Sequence, residues 1–303
     1  DMSHDSYIDR DMSDRHETIA LIGAGAMGSA LAHGAHAAGR RVTAIASRHP
    51  GRAQTLADAI GAELCDCPDD AAKKADVVLL CVPDDAIAGI VATLRNIKGS
   101  IVAHTAGAKG LAALELAVGR GAHAGSIHPV MVIAAGGRGH EALRGATAAI
   151  DGDEVACKWL TAFAQELELS PVSIPEAHRA LYHLSASLVG GLMTGLLASA
   201  VDLWTHIGLD REVAATALGR MVQEAGHNLE GLGVPDAVMG PIVRGDVGTI
   251  EEHLRVLAID APHLVPLYRN LAVLCLPYAC ERGALNADQA EAITSTLLHR
   301  TDA

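Results

Sequence analysis

The sequence predicts a doubly wound parallel α/β sheet over residues 17–174, followed by an all-α domain over residues 175–303 that begins with a long helix. Two observations predict this fold class. Short apolar runs rich in β-branched residues alternate with segments of helical periodicity as far as residue 174. Beyond that point no such runs remain and the periodicity is helical throughout. A chain of 303 residues is long enough for two domains. Residues 1–16 are expected to form a mobile tail.

The first half begins with a strand–helix–strand unit. An apolar run at 19–22 leads into a glycine-rich turn at 23–28 and a helix to about residue 39, before a second strand at 42–46. Further strands are predicted at 77–82, 100–104, 122–127, 146–150 and 171–174, with helices at 52–60, 86–94, 111–118 and 154–167. Because parallel strands need crossover connections, we expect helices on both faces of the sheet.

The second half is predicted to begin with a helix from Pro175 to Ile207, roughly 50 Å long at about 1.5 Å per residue. That length exceeds the width of a small domain. A second subunit packing along the helix would explain it, and a kink at Gly190, Gly191 and Gly195 is the alternative. Four more helices are predicted at 211–232, 247–257, 263–282 and 287–299.

The composition argues against several classes of protein. Lys and Arg number 23 against 36 Asp and Glu, a net charge of −13 that repels nucleic acid, and only 2% of residues are aromatic. The six cysteines form no Cys-x-x-Cys unit, and no secretory segment precedes them, so we expect a reducing, cytoplasmic location. The sequence contains no charge-free apolar run of about 18 residues, so no membrane span is predicted. No histidine spacing matches a metal motif, and we expect no metal.

The turn after the first strand carries the pattern of a dinucleotide-binding site. It reads Gly23-Ala-Gly25-Ala26-Met27-Gly28. The first glycine permits a sharp turn, the second a close approach of a pyrophosphate, and the third tight packing of the helix on the sheet. The N–H groups at the start of the helix can then bind the anion. A Rossmann-type cofactor domain is predicted; the alternative is a turn that serves packing only.

The end of the second strand distinguishes between the two nicotinamide dinucleotides. An acidic residue there would bind a ribose hydroxyl, but the sequence reads Ser47-Arg48-His49. A hydroxyl and a guanidinium suit a 2′-phosphate. We therefore predict NADP(H) rather than NAD(H), the alternative for Arg48 being a solvated surface residue.

Two further strand ends should border the cofactor, because ligands of open α/β sheets bind at the carboxyl edge. Val82-Pro83 is expected beside the ribose and nicotinamide, and His104-Thr105-Ala106 beneath the nicotinamide. Either segment could instead be an ordinary helix cap, and His104 could be a buried histidine bonded to backbone.

On the helix that opens the second domain, Arg179, Tyr182 and His183 share a face. Hydride transfer to a carbonyl or imine requires a proton donor and groups that stabilise the developing charge. We expect His183 to relay the proton, Tyr182 to donate a hydrogen bond and Arg179 to anchor a substrate carboxylate or phosphate. The alternatives are a bond to a buried carbonyl for His183, core packing for Tyr182 and a surface ion pair for Arg179.

Two other segments are candidates for the substrate cleft. His128-Pro129 ends a strand, and the proline restricts the histidine to an extended geometry that aims its side chain, the alternative being a structural turn. Arg244 and Asp246 lie in a glycine-bounded loop, where they could bind each other, or Arg244 could reach the cleft from either subunit.

Four ordered motifs carry a resemblance over residues 17 to 283. They are His104-Thr-Ala-Gly107, Gly125-Ser-Ile-His128-Pro129, Ala180-Leu-Tyr182-His183 and Gly240-Pro-Ile-Val-Arg244-Gly-Asp246. By these motifs the chain is similar to Rossmann-like oxidoreductases whose helical C-terminal domain has no known function. More broadly, the glycine turn, the Val82-Pro83-Asp84 loop and the all-helical second half resemble the superfamily of pyrroline-5-carboxylate reductase, 6-phosphogluconate dehydrogenase and the β-hydroxyacid dehydrogenases. The resemblance implies a nicotinamide cofactor, a dimerising helical domain and a small substrate.

The chain departs from this pattern at two positions. Members often carry Lys where Arg179 stands and Asn where Gly191 stands, and Arg does not readily release a proton. A lysine-type acid–base mechanism is therefore not expected. From the glycine turn, Ser47-Arg48 and the inferred cleft, the leading hypothesis is an NADP(H)-dependent oxidoreductase that acts on a small carbonyl, imine or hydroxy compound bearing an anionic group. The rivals are a non-catalytic NADP(H)-binding sensor and hydride exchange with a deazaflavin.

Overall fold

The computed structural model describes residues 17–135 and 139–298, so the predicted tail at 1–16 lies outside the described residues. The chain forms two compact units, one ending at Leu192 and the other beginning at Met193. The sequence places the change of secondary-structure type at residue 174. The boundary between compact units lies 18 residues later because the helix that follows is bonded to the sheet.

The first unit contains one eight-stranded sheet in the order β3-β2-β1-β4-β5-β6-β7-β8. Its strands are β1 (Thr18–Ile22), β2 (Arg41–Ala46), β3 (Glu63–Leu64), β4 (Val77–Leu80), β5 (Ile101–His104), β6 (His123–Pro129), β7 (Thr147–Gly152) and β8 (Ser170–Ser173). The predicted α/β sheet is confirmed, with two differences: the short strand β3 was not predicted, and β6 and β7 are antiparallel. No α-helix is described between them, so the chain returns without a crossover helix.

Helices cover both faces of this sheet. They are α1 (Ala26–Ala37), α2 (Pro50–Ile60), α3 (Pro68–Ala72), α4 (Ile87–Thr93), α5 (Glu115–Gly119) and α6 (Glu154–Glu166). Alternate residues of β1 belong to opposite cores: Ile19 and Leu21 pack in one, Ala20 and Ile22 in the other. Burial on both faces explains why the strands read as continuous apolar runs.

The predicted long helix is an interrupted helical run from Glu176 to His206. It consists of a short 3-10 turn, α7 (Arg179–Ser187), a π-helical segment (Leu188–Leu192) and α8 (Met193–His206). The π segment contains Gly190, whose added Cβ would lie 3.0 Å from Val132 Cγ2. The glycine therefore allows a close approach to the segment after β6. By length and composition alone the run could cross a membrane, and most of its surface is exposed.

The second unit is helical. After α8 its helices are α9 (Arg211–Leu232), α10 (Pro241–Arg244), α11 (Val247–Asp260), α12 (Val265–Glu281) and α13 (Ala287–Leu298). The α9 bounds are those predicted, whereas α10 was not predicted. Asn286 and Gln289 cap α13 reciprocally, each side chain accepting a backbone N–H at 2.9 Å. Ile250, Leu276 and Ile293 lie in the core of this unit.

Candidate functional site

The glycine turn forms an open cradle at the start of α1. Gly23 has a φ of +106°, and a Cβ there would overlap the Cys81 carbonyl, while a Cβ on Gly28 would overlap the Gly23 carbonyl. Gly25 instead faces open space, with no atom within 4 Å of an added Cβ. No side chain caps α1, so the N–H groups of Ala26 and Met27 are available to an anion. These residues fit the pyrophosphate of a dinucleotide.

A cavity of about 450 Å³ adjoins this cradle. Its lining includes four polar side chains that follow β2, Ser47, Arg48, His49 and Arg52. It also includes two residues of the loop after β4, Val82 and Pro83. The Ser47 hydroxyl accepts the His49 N–H at 3.3 Å, so its own hydrogen remains available. Among the described residues, neither Arg48 nor Arg52 has an ion-pair partner. Two free guanidiniums and a hydroxyl fit a 2′-phosphate.

Arg52 is a further candidate for binding the phosphate, and sequence reasoning missed it. It lies in the first turn of α2, four positions after Arg48. The sequence could have indicated it, because a second arginine four positions after Arg48 falls in the first turn of the next helix. Only the residues directly after β2 were considered. Asp66, after β3, also lines the cavity and is the one carboxylate among its lining residues.

The end of β5 is built differently from the prediction for His104. This residue is fully buried, its Nδ1 accepts the Ala106 N–H at 3.3 Å, and its Nε2 lies 3.3 Å from the Gly110 carbonyl. Nε2 therefore carries the hydrogen, and burial lowers the pKa of the imidazole. Both ring nitrogens are bonded to backbone, so His104 holds the loop in place and the alternative reading applies. Thr105 bonds to the Leu80 carbonyl and joins β5 to β4.

Arg179 is a structural cation rather than an exposed anchor. Its side chain is 3% exposed, and Nη1 lies 3.2 Å from Asp151 Oδ2 on β7. Nη2 donates to Ser126 Oγ at 2.9 Å and to the Ala106 carbonyl at 3.5 Å. The guanidinium is thus bonded to β7, to β6 and to the segment that follows β5. The expectation that it binds a substrate anion is wrong in this structure, because the charge is buried and already paired.

His128, Tyr182 and His183 form one cluster above Gly107. His128 Nδ1 lies 2.9 Å from the Tyr182 hydroxyl, and the two rings meet edge to face. The ring centroids of His128 and His183 are 6.0 Å apart. A Cβ on Gly107 would lie 2.6 Å from His183 Cδ2 and 2.8 Å from His128 Nε2. Glycine is therefore needed for both imidazoles to pack on the β5 loop.

The cluster is partly shielded from water. Burial, helped by His183 and Arg179, lowers the pKa of His128 to about 4, so this imidazole is neutral near pH 7. Burial raises the pKa of Tyr182, so its phenol stays protonated. A neutral imidazole and a phenol in contact can each donate or accept a proton. A second cavity of about 610 Å³ opens beside His128 and His183.

The remaining predicted cleft residues lie elsewhere. Pro129 is buried at the end of β6. Arg244 belongs to the second unit, while the residues lining the second cavity all belong to the first. Asp246 accepts from the Thr249 N–H and hydroxyl, capping α11, and makes no ion pair with Arg244 among the described residues. Over that same part of the chain, no group of three His, Cys, Asp or Glu side chains is placed to hold a metal.

The fold and the glycine cradle define a Rossmann-type dinucleotide-binding protein. Residues 18–107 match the family described as NADP oxidoreductase, coenzyme F420-dependent, and residues 146–274 match a domain of unknown function, DUF2520. The nucleotide-binding part of the chain is therefore similar to the first family and its C-terminal part to the second, as the resemblance predicts. The family description confirms the prediction of NADP(H) as cofactor. No curated protein matches the sequence.

Solved structures share this fold along nearly their whole length. A Bacteroides fragilis protein, provisionally an NADP oxidoreductase, is 24% identical with a TM-score of 0.71, covering 86% of this chain and 98% of its own. Pyrroline-5-carboxylate reductase of Coxiella burnetii is 18% identical with a TM-score of 0.58, covering 92% and 99%. Plasmodium falciparum pyrroline carboxylate reductase with NADP bound is 14% identical with a TM-score of 0.59, covering 93% and 98%. At these identities the likeness shows the fold alone.

Proposed function

We propose that the protein is an NADP(H)-dependent oxidoreductase that reduces a small carbonyl or imine compound, or oxidises the corresponding hydroxy compound or amine. The observation that carries the proposal is the packing of His128, Tyr182 and His183 around Gly107, at the carboxyl edge of the same sheet that holds the glycine cradle. Active sites of doubly wound folds lie at this edge.

The chain's own residues would hold the cofactor at two charged ends. Gly25 and the start of α1 would bind the pyrophosphate, and Arg48 with Arg52 would bind the 2′-phosphate. When bound, NADPH supplies a hydride to the carbonyl or imine carbon and becomes NADP⁺, while the π electron pair moves to the oxygen or nitrogen. That heteroatom then needs one proton.

We assign the proton to His183, which lines the second cavity and can be recharged from solvent. Tyr182 would donate a hydrogen bond either to the substrate heteroatom or to Nδ1 of His128. In the second case it would fix the ring hydrogen of His128 on Nε2. Arg179 is a positioning residue: its bonds to Asp151 and Ser126 hold α7, and with it Tyr182 and His183, against the sheet.

Calorimetric titration with NADPH and NADH, followed by a panel of aldehydes, ketones and cyclic imines, tests the proposal. We expect tighter binding of NADPH, and NADPH oxidation that His183→Ala and Tyr182→Phe each reduce by about 10²-fold or more, the usual contribution of a general acid. Tighter binding of NADH would overturn the cofactor assignment. Cofactor binding without turnover across the whole panel would favour the sensor.

The family description favours a second candidate reaction. It names coenzyme F420, a deazaflavin, so hydride exchange between NADP(H) and a deazaflavin is the alternative. Mixing NADPH with oxidised deazaflavin and following both chromophores distinguishes the two reactions. Exchange at a rate that exceeds every carbonyl or imine in the panel would replace the first proposal with the second.

We also propose a homodimer formed through the helical run. Leu181 is 68% exposed, and Leu188 and Leu192 are each more than half exposed on the same run. Large contiguous apolar surfaces on a soluble protein mark interaction sites. A second copy is the occupant we propose, because a long helix packed on its symmetry mate covers both copies' apolar side chains at once.

A further inference from the structure

The second cavity is large enough for a small organic substrate. Its volume of about 610 Å³ lies within the usual range for ligand sites. One wall is the segment after β6, with Val130, Met131 and Val132, and the other is the α7 and π segment, with Val189 and Gly191. His128 and His183 lie at the end where both walls meet the β5 loop.

Apolar side chains dominate the accessible surface of these walls. Val132 and Val189 are each about two-thirds exposed, and Met131 is 40% exposed. Exposed apolar surface inside a concave site favours a ligand that covers it with apolar groups of its own.

The hydroxyls in the cavity wall are already committed as donors. Ser185 Oγ donates to the Tyr182 carbonyl at 2.6 Å, and Ser187 Oγ donates to the His183 carbonyl at 2.9 Å. Their remaining lone pairs can only accept. They therefore offer nothing to a carboxylate or a phosphate, which needs donors.

Charge near the cavity is unfavourable to an anion as well. No Lys or Arg is among the residues that line it. The nearby cation, Arg179, is buried and paired with Asp151. Asp84 acts electrostatically on His128 and has no ion-pair partner in the part of the chain that the structure describes. When it carries the proton to be transferred, His183 is a cation in the lining, but it gives up that charge in the proposed reaction. An anionic substrate would therefore lose its hydration without keeping a counter-charge, which is strongly unfavourable.

From these contacts we infer that the substrate is an uncharged carbonyl or imine compound whose apolar group occupies the cavity between Met131, Val132 and Val189, and not a small keto acid or phosphorylated sugar. The inference rests on the proposed function and specifies its substrate class. The hydride goes to the carbonyl or imine carbon and the proton to its oxygen or nitrogen, as above. The apolar group takes no part in the bond changes.

Two pairs of probes, each differing by one charge, test the inference on the full-length protein. Phenylbutyramide and phenylbutyrate are unreactive, and their binding is measured by calorimetry with NADP⁺ present. Benzylacetone and the α-keto acid in which a carboxylate replaces its methyl group are compared as substrates of the NADPH-loaded protein. We expect the neutral member of each pair to be favoured by at least about tenfold, the effect of leaving one charge without a partner.

Substitutions at Val132 provide a matched control. Val132→Arg supplies the missing cation and should shift the binding preference at least about tenfold towards phenylbutyrate, while Val132→Met, of similar length and uncharged, should keep the preference for the amide. Because the readout is binding, it does not depend on turnover.

Tighter binding of phenylbutyrate to the unmodified protein would overturn the inference, and so would the failure of both unreactive probes to bind at millimolar concentration. A preference that Val132→Arg leaves unchanged would also overturn it, because the probe would then lie outside this cavity. In all three cases NADPH binding, measured separately, still reports on the proposed function. Failure of the unmodified protein to bind NADPH would instead reject the proposed oxidoreductase function.

Discussion

At the scale of the residue, burial separates two arginines that look alike in the sequence. Arg48 is exposed and without an ion-pair partner among the described residues, so its charge is available to a ligand. Arg179 is buried and shared between Asp151 and Ser126, so its charge is used inside the protein. The same guanidinium is therefore free to meet a ligand in one place and is bonded inside the protein in the other.

The first prediction concerns Arg48. Replacing Arg48 by Gln removes a charged donor from the 2′-phosphate end of the cavity and should weaken NADPH binding by about ten- to a hundredfold, the equivalent of about 1.5–3 kcal/mol for a hydrogen bond to a charged group. NADH binding, which involves no such phosphate, should be unchanged. Calorimetry measures both. Arg41→Gln, an exposed arginine outside the cavity, is the control; equal losses for both cofactors would contradict the prediction.

The second prediction concerns His128 and pH. Its pKa is about 4 in the folded protein and about 6.5 in the unfolded chain, so the unfolded state takes up the proton first as pH falls. The stability that this histidine contributes is complete above about pH 6.5 and is lost as pH falls towards 4. At about pH 5 the loss should be about 2 kcal/mol.

Urea unfolding at about pH 7.5 and pH 5 checks this dependence, with His128→Gln as the control. The difference between the two pH values should be smaller in the variant by about 2 kcal/mol. Equal pH dependence in both proteins would show that His128 titrates normally.

At the scale of the element, the close packing of α7 on the β5 loop depends on Gly107. An alanine there would place a methyl group 2.6 Å from His183 Cδ2, and we predict a loss of about 1–3 kcal/mol of stability through overpacking. Denaturant unfolding measures the loss. Gly89→Ala is the matched control: its added methyl meets no atom within 4 Å in α4, so it should stabilise the protein by up to about 1 kcal/mol. An unchanged stability in Gly107→Ala would contradict the packing described here.

How much of the fold can be predicted from the sequence also depends on the element. Strands such as β1 and β4 are continuous apolar runs because both of their faces are buried, and the glycine turn follows from local geometry. The direction of β7 depends on what lies between it and β6, which periodicity does not report. The π segment contains Gly190 and Gly191, two of the glycines at which the sequence offers a kink as the alternative to a straight helix. The approach of Gly190 to Val132 joins residues distant in sequence, so periodicity does not reveal it.

The candidate site divides along the same line. The cradle residues and the histidine–tyrosine cluster were predicted, because their residue types and spacing carry the chemistry. The buried role of Arg179 was not predicted, and that of His104 was one of two alternatives, because each depends on partners that folding brings together: Asp151 and Ser126 for the arginine, the Gly110 carbonyl of the following loop for the histidine.

At the scale of the whole molecule, the exposed apolar side chains of the helical run predict association. Leu181→Glu should convert a dimer to a monomer, because a carboxylate in an apolar interface loses its hydration. Sedimentation velocity measures the change. Leu116→Glu, in α5 and also about half exposed, is the control and should leave the dimer intact. A monomeric unmodified protein would reject the proposed interface.

The bonds of Arg179 to the strands also determine where the chain could be recombined with another protein. A chimaera joined after Leu192 would keep Tyr182 and His183 attached to the nucleotide-binding unit, together with the charges that hold them. A junction at residue 175, where the composition changes, would exchange those side chains with the donor. The helices that follow Leu192 are thus the exchangeable module, and the side chains proposed for proton transfer stay with the sheet.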